Sequence, residues 1–209
     1  MTFSAFKTRV KRYPLFSTTM LGGLTDRVPS LKVQLSQWKK KGWVRALRRG
    51  LYVLSPEERT HEPSLFYLAN QIYIPSYVSL ESALALYGLI PEFVAATTSV
   101  SVRKTARFRN DFGLFTYQQV CRGGFRGFRS IPGANDISIL VASPEKALVD
   151  FFYLNLASFN PGDRAQWSES YRFQNCSQLQ PAELKAHARR FNSKKLMRVV
   201  TAFVKACVR

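Results

Sequence analysis

Residues 29–54 read PSLKVQLSQWKKKGWVRALRRGLYVL, and the rest of the chain is best read outward from them. The first half predicts a helix from about Pro29 to Lys41: proline is tolerated at the first helical position, and Gly42 suits the left-handed residue that ends a helix. At about 100° per residue, Leu31, Leu35 and Trp38 fall on one stripe, which must pack inward. The opposite face then presents Val33, Ser36, Gln37 and Lys40, with Lys32 and Lys39 on one flank and Gln34 and Lys41 on the other. In the second half, Trp43–Ala46 and Leu51–Leu54 are short apolar-rich runs separated by Leu47–Gly50, where Gly50 supplies the positive φ of a tight hairpin. Arg45, Arg48 and Arg49 cluster on or beside that turn.

Upstream, Thr2–Arg12 predicts a short helix with Thr2 as N-cap, Phe3, Phe6 and Val10 at helical spacing, and Pro14 beyond its end. A second short helix is expected from Ser17, with Met20, Leu21 and Leu24 as its apolar side and a turn through Asp26 and Arg27 after it. Two short helices, a lysine-rich third and a basic hairpin together make a winged helix-turn-helix arrangement. Such a unit reads DNA when short polar and amide side chains exchange hydrogen bonds with base edges, a methyl-bearing residue meets thymine, and cations hold phosphates. The residues fitting those roles are Ser30, Lys32, Val33, Gln34, Ser36, Gln37, Lys39, Lys40 and Lys41 on the helix, with Arg45, Arg48 and Arg49 forking onto phosphates or entering the minor groove.

The charge distribution agrees with a polyanion partner. The formal net charge is +18, and it is uneven: residues 1–60 carry 13 Lys+Arg against 3 acids, residues 61–180 carry 10 against 9, and residues 181–209 carry 8 against Glu183 alone. A basic but merely solvated surface is the plainer alternative. Cys121, Cys176 and Cys207 are odd in number and widely spaced, so no disulfide framework or metal knuckle can be drawn, and a reducing cytoplasm is expected. His61 and His187 read as surface residues, and no metal or cofactor is expected. No apolar run approaches the roughly 18 residues needed to cross a bilayer, and the N-terminus has no secretory-signal pattern. Paired carboxylates, a nucleophile with its base and phosphate-cradling loops are all missing from the pattern, which argues against an enzyme.

The fold class expected is α+β: the winged unit over residues 1–58, then a mixed α/β domain over 59–209 that ends in helices, joined by a Pro-bounded linker at Ser55–Glu62. In the second part, helices are expected at about Ser64–Ile72 and after Ser79, the latter with Leu80, Ala83, Leu84 and Tyr87 inward and Gly88 as terminator. Thr97–Val102, Gly113–Val120 and Asp136–Ala142 read as strands. Ser143 caps a helix with Ala147, Leu148, Phe151 and Leu154 buried, on which Glu145, Lys146 and Asp150 read as helix-start and surface charges. A last helix spans Ser193–Arg209. Arg103, Lys104, Arg107, Phe108 and Arg109, and then Arg122, Phe125, Arg126, Phe128 and Arg129, interleave cations with aromatics as nucleic-acid platforms do, although strand edges also look like this.

Three segments in order, KKKGWVRALRRGLYVL at 39–54, PSYVSLESALALYGLIPE at 75–92 and SPEKALVD at 143–150, resemble the AbiEi family, the antitoxins of type IV abortive-infection toxin–antitoxin systems. The resemblance runs from about Phe16 to Tyr153. It implies an autorepressor whose winged helix-turn-helix binds double-stranded DNA at inverted repeats in its own promoter. It also implies a C-terminal domain that opposes a nucleotidyltransferase-like toxin without a stable complex, in phage defence. A stand-alone transcriptional regulator whose second domain senses a ligand or assembles subunits remains the alternative reading of the residues.

Overall fold

The computed structural model describes residues 1–23, 28–92, 94–133, 137–163 and 165–208. At the N-terminus, α1 (Phe3–Val10) is capped by Thr2, whose hydroxyl oxygen accepts from the Ala5 amide at 3.3 Å, and it buries Phe6 and Val10. Helix α2 (Val28–Lys40) buries Leu31, Leu35 and Trp38 against it, and Gly42 follows at φ +80. Each of those side chains contributes on the order of 2 kcal/mol by leaving water, so the orientation of α2 is fixed from within.

No second α-helix starts at Ser17. Phe16–Ser17 is instead a two-residue strand, β1, followed by one 3-10 turn at Met20–Gly23. Ser17 does cap that turn, accepting from the Met20 amide at 3.3 Å. The pair Gly22-Gly23 makes helix propagation costly, whereas an adjacent strand edge offers the backbone ready partners; Thr18 N–H donates to the Gly50 carbonyl at 3.0 Å. Leu24 and the expected turn at Asp26 and Arg27 lie outside the described residues. Strands β2 (Val44–Arg48) and β3 (Leu51–Leu54) form the hairpin, with a bulge between Ala46 and Arg48 and Gly50 at φ +81. The resulting antiparallel sheet runs β1-β3-β2.

The larger part is a mixed six-stranded sheet in the order β6-β7-β5-β4-β9-β8. Its strands are β4 (Ser76–Val78), β5 (Ala96–Ser101), β6 (Ala106–Asn110), β7 (Gly113–Gln119), β8 (Phe128–Pro132) and β9 (Ser138–Ala142). The three strands expected from β-branched runs are β5, β7 and β9, although Asp136 falls outside the described residues. The two edge strands were hidden by composition: arginines alternate along β6, and β8 ends in Pro132, a residue confined to sheet edges.

One face of this sheet packs on α3 (Leu65–Ile72) and on the small hairpin, in a shared core of Leu47, Leu51, Val53, Leu68, Ile72, Val78, Phe115 and Tyr117. The other face carries α4 (Leu80–Leu86) and α5 (Pro144–Leu154), with α6 (Pro181–Arg189) and α7 (Lys194–Cys207) outside them. Ser143 caps α5 and Ser193 caps α7, each accepting an amide at 3.2 Å. The architecture is α+β, and no described helix is long and apolar enough to cross a membrane.

Candidate nucleic-acid interface

Burying Leu31, Leu35 and Trp38 leaves the rest of α2 outward. Ser30, Lys32, Val33, Ser36, Gln37, Lys39 and Lys40 are all exposed, as is Lys41 just after the helix. Val33 is 59% exposed. Gln34 differs: it is half-buried, and its side-chain oxygen accepts from the Met1 amino group at 3.3 Å, which ties it to the start of the chain. The Lys41 ammonium sits 4.7 Å from the Trp43 ring centroid.

Between α2 and the hairpin turn lies a cleft of ≈ 400 Å³, lined by Thr18, Lys32, Leu35, Ser36, Lys39, Arg49, Gly50 and Tyr52. Lys32, Lys39 and Arg49 converge on it, and none of the three has a carboxylate partner among the described residues. The sequence from Val28 to Pro56 contains no acid at all. A concave, one-sign surface of this kind concentrates anions. Two residues of the cleft, Thr18 and Tyr52, escaped the sequence reading. Tyr52 was findable, because period-2 alternation puts it on the opposite side of β3 from buried Leu51 and Val53. Thr18 was not, because its position depends on β1 joining the hairpin.

The three hairpin arginines separate. Arg49 is exposed at the turn. Arg48, expected to fork onto phosphate or enter the minor groove, is half-buried: its Nε donates to the Ile72 carbonyl at 2.5 Å and its Nη1 to the Arg49 carbonyl at 3.0 Å. A bulge lies between Ala46 and Arg48, and the two accepting carbonyls are those of Ile72, the last residue of α3, and of Arg49 in the hairpin turn. Arg45 remains exposed but pairs with Asp111 on the β6–β7 turn at 3.3 Å, a contact the spacing could not show.

The cation–aromatic runs of the larger part also divide. Phe108 packs on Tyr73 and Tyr117, and Phe125 and Phe128 pack on Tyr77, so the rings face inward while Arg107, Arg109, Arg126 and Arg129 stay at the surface. The charges on α5 are not at the surface: Lys146 is 1% and Asp150 0% exposed, and they form an ion pair. Asp150 also accepts from the Tyr77 hydroxyl at 2.9 Å and the Ser79 hydroxyl at 2.8 Å. Ser79 therefore does not cap α4 with its side chain, since a buried carboxylate is the stronger acceptor. Burial pushes the Asp150 carboxyl up and the Lys146 ammonium down, and their mutual attraction opposes both shifts.

His187 is likewise buried rather than at the surface, against Gly127, where an added Cβ would fall 2.3 Å from its ring; burial holds its pKa below the usual histidine value. Among the described residues no three His, Cys, Asp or Glu side chains group as a metal site. No family model and no curated protein matches this chain.

Proposed function

We propose that residues 1–58 are a winged helix-turn-helix that binds double-stranded DNA, with α2 as the helix entering the major groove and the β2–β3 turn as the wing. The observation carrying this reading is the convergence of Lys32, Lys39 and Arg49 on one cleft beside an exposed Val33, Ser36 and Gln37, in a segment without acids. In this reading the lysines and Arg49 hold phosphates while Gln37 and Ser36 exchange hydrogen bonds with base edges and Val33 meets a thymine methyl. Arg48 and Arg45 take a different part: they hold the hairpin on the larger domain, residues 59–209, and so set the angle of the wing.

The resemblance to AbiEi antitoxins extends the proposal to an autorepressor that binds inverted repeats and opposes a nucleotidyltransferase-like toxin, and it requires no catalysis by this chain. Selection from randomised duplexes tests the DNA half: a recovered palindromic consensus supports it, and recovery of no preferred sequence removes it. Co-expression with the product of the adjoining gene tests the antitoxin half, where failure to rescue growth leaves a stand-alone regulator.

A further inference from the structure

The cleft beside α2 is cationic; a second hollow, in the larger part, has the opposite character. It measures ≈ 570 Å³ and is bounded by Glu81 in the first turn of α4, Ile90 beyond the end of that helix, Phe151 of α5, and Tyr171 and Phe173. In a chain of formal net charge +18, none of its described lining residues is a lysine or arginine, while Glu81 and Glu92 both border it. Its volume falls within the range of sites that enclose small molecules, about 300–1,000 Å³.

The aromatic wall is held in place by the protein itself. Tyr171 and Phe173 lie within 18° of parallel with centroids 5.8 Å apart, and Phe151 stands at 85° to both, at 5.7 and 6.2 Å. The Tyr171 amide donates to the Gln166 carbonyl at 3.0 Å, the Phe173 amide to the Trp167 carbonyl at 2.9 Å and the Gln174 amide to the Leu89 carbonyl at 2.9 Å. Between the two rings Arg172 has φ +47, a left-handed conformation that a long side chain keeps only when its surroundings hold it there. Its Nε donates to Glu92 at 3.1 Å, so these two charges are spent on each other. Glu81 is different: it is half-buried, and no cation pairs with it among the described residues. A carboxylate partly withdrawn from water is less screened, so it attracts a cation more strongly than one on an open surface does.

We propose that this cavity binds a small organic ammonium ion with an aromatic body, the ammonium pairing with Glu81 and the body lying against Phe151, Tyr171, Phe173 and Ile90. The rings add to the attraction, because the face of an aromatic ring is negative. An anion of the same size finds no partner, since the nearby guanidinium of Arg172 is already bound to Glu92. The site lies wholly within residues 59–209 and goes beyond the DNA-binding reading: it stands or falls without it.

The experiment titrates the full chain calorimetrically with phenethylamine and, separately, with hydrocinnamate, the same skeleton ending in a carboxylate. Expected are saturable one-to-one binding of the amine with a Kd of about 0.1–1 mM, as suits so small a ligand, and no saturation by the acid. The overall charge of the chain attracts the acid and repels the amine, so a preference for the amine can arise only within the cavity. Glu81→Gln should weaken the amine about tenfold by removing a charge-assisted hydrogen bond. Ala95→Trp, which lays a ring over the cavity from an exposed lining position, should abolish binding, with the melting temperature of both variants near that of the wild type. Sedimentation of the free chain checks the other occupant: a dimer that Ala95→Trp splits would show the cavity to be covered by a second copy and would overturn the assignment. So would failure of the amine to saturate, equal binding of amine and acid, or an affinity unchanged in both variants.

Discussion

Helices α2 and α5 look alike as strings: both are amphipathic, both begin near a proline and both carry lysine outside the apolar stripe. Their lysines meet opposite environments. On α2 none of the described residues covers the face opposite Leu31, Leu35 and Trp38, so Lys32, Lys39 and Lys40 are exposed and keep their water. On α5 the sheet lies on one side and α6 and α7 on the other, so Lys146 and Asp150 are enclosed and neutralise each other with help from Tyr77 and Ser79. A lysine's use is thus set by what is laid over its helix; the helix itself does not decide it.

The sharpest way to break that comparison is to unpair each side of it. Asp150→Asn leaves an ammonium buried without its counter-ion and should cost about 3–5 kcal/mol in urea unfolding. A loss under about 0.5 kcal/mol, the size of an exposed i,i+4 pair, would mean the pair is solvated as α2's lysines are. Joint replacement of Lys146 by Met and Asp150 by Leu should recover much of the stability, because two apolar groups need no partner.

On the hairpin, Arg48→Ala and Arg49→Ala should part company. Arg48→Ala removes the Ile72 contact and should lower stability by about 1–3 kcal/mol while leaving the salt dependence of DNA binding alone. Arg49→Ala should leave stability unchanged, weaken all duplexes alike and make the salt slope shallower by about 1. If about six cations in this region hold phosphates, the intact protein should show a log–log salt slope near −5. Gln37→Ala should lose about 1–3 kcal/mol of discrimination at one base pair, read by competition between consensus and mutated duplexes.

The smallest effect is pH-dependent. Burial disfavours charged His187, so its folded pKa lies below the unfolded value. The stability it confers is then present above about pH 6.5 and declines as pH falls through the lower folded value, because the unfolded chain binds the proton more readily. His187→Gln should flatten the acid limb of a plot of unfolding free energy against pH; an unchanged limb would assign that loss to other groups.

Much of the N-terminal part was legible because its elements are set by contacts close in sequence. Leu31, Leu35 and Trp38 at helical spacing, Gly42 and Gly50 at positive φ, and Thr2 and Ser143 as caps each act within a few residues, so the pattern alone specifies α1, α2, the hairpin and α5. The exposed face of α2 followed by subtraction once its buried stripe was known. What could not be read was every outcome requiring residues distant along the chain to meet. Arg48 reaches the Ile72 carbonyl, Arg45 meets Asp111, and the Lys146–Asp150 pair is closed by Tyr77 and Ser79, 73 and 71 residues before Asp150. Local periodicity tells which side of an element is apolar. Only the packed sheet and helices decide whether a charged side chain keeps its water, and the large cost of removing that water without a partner makes the difference decisive.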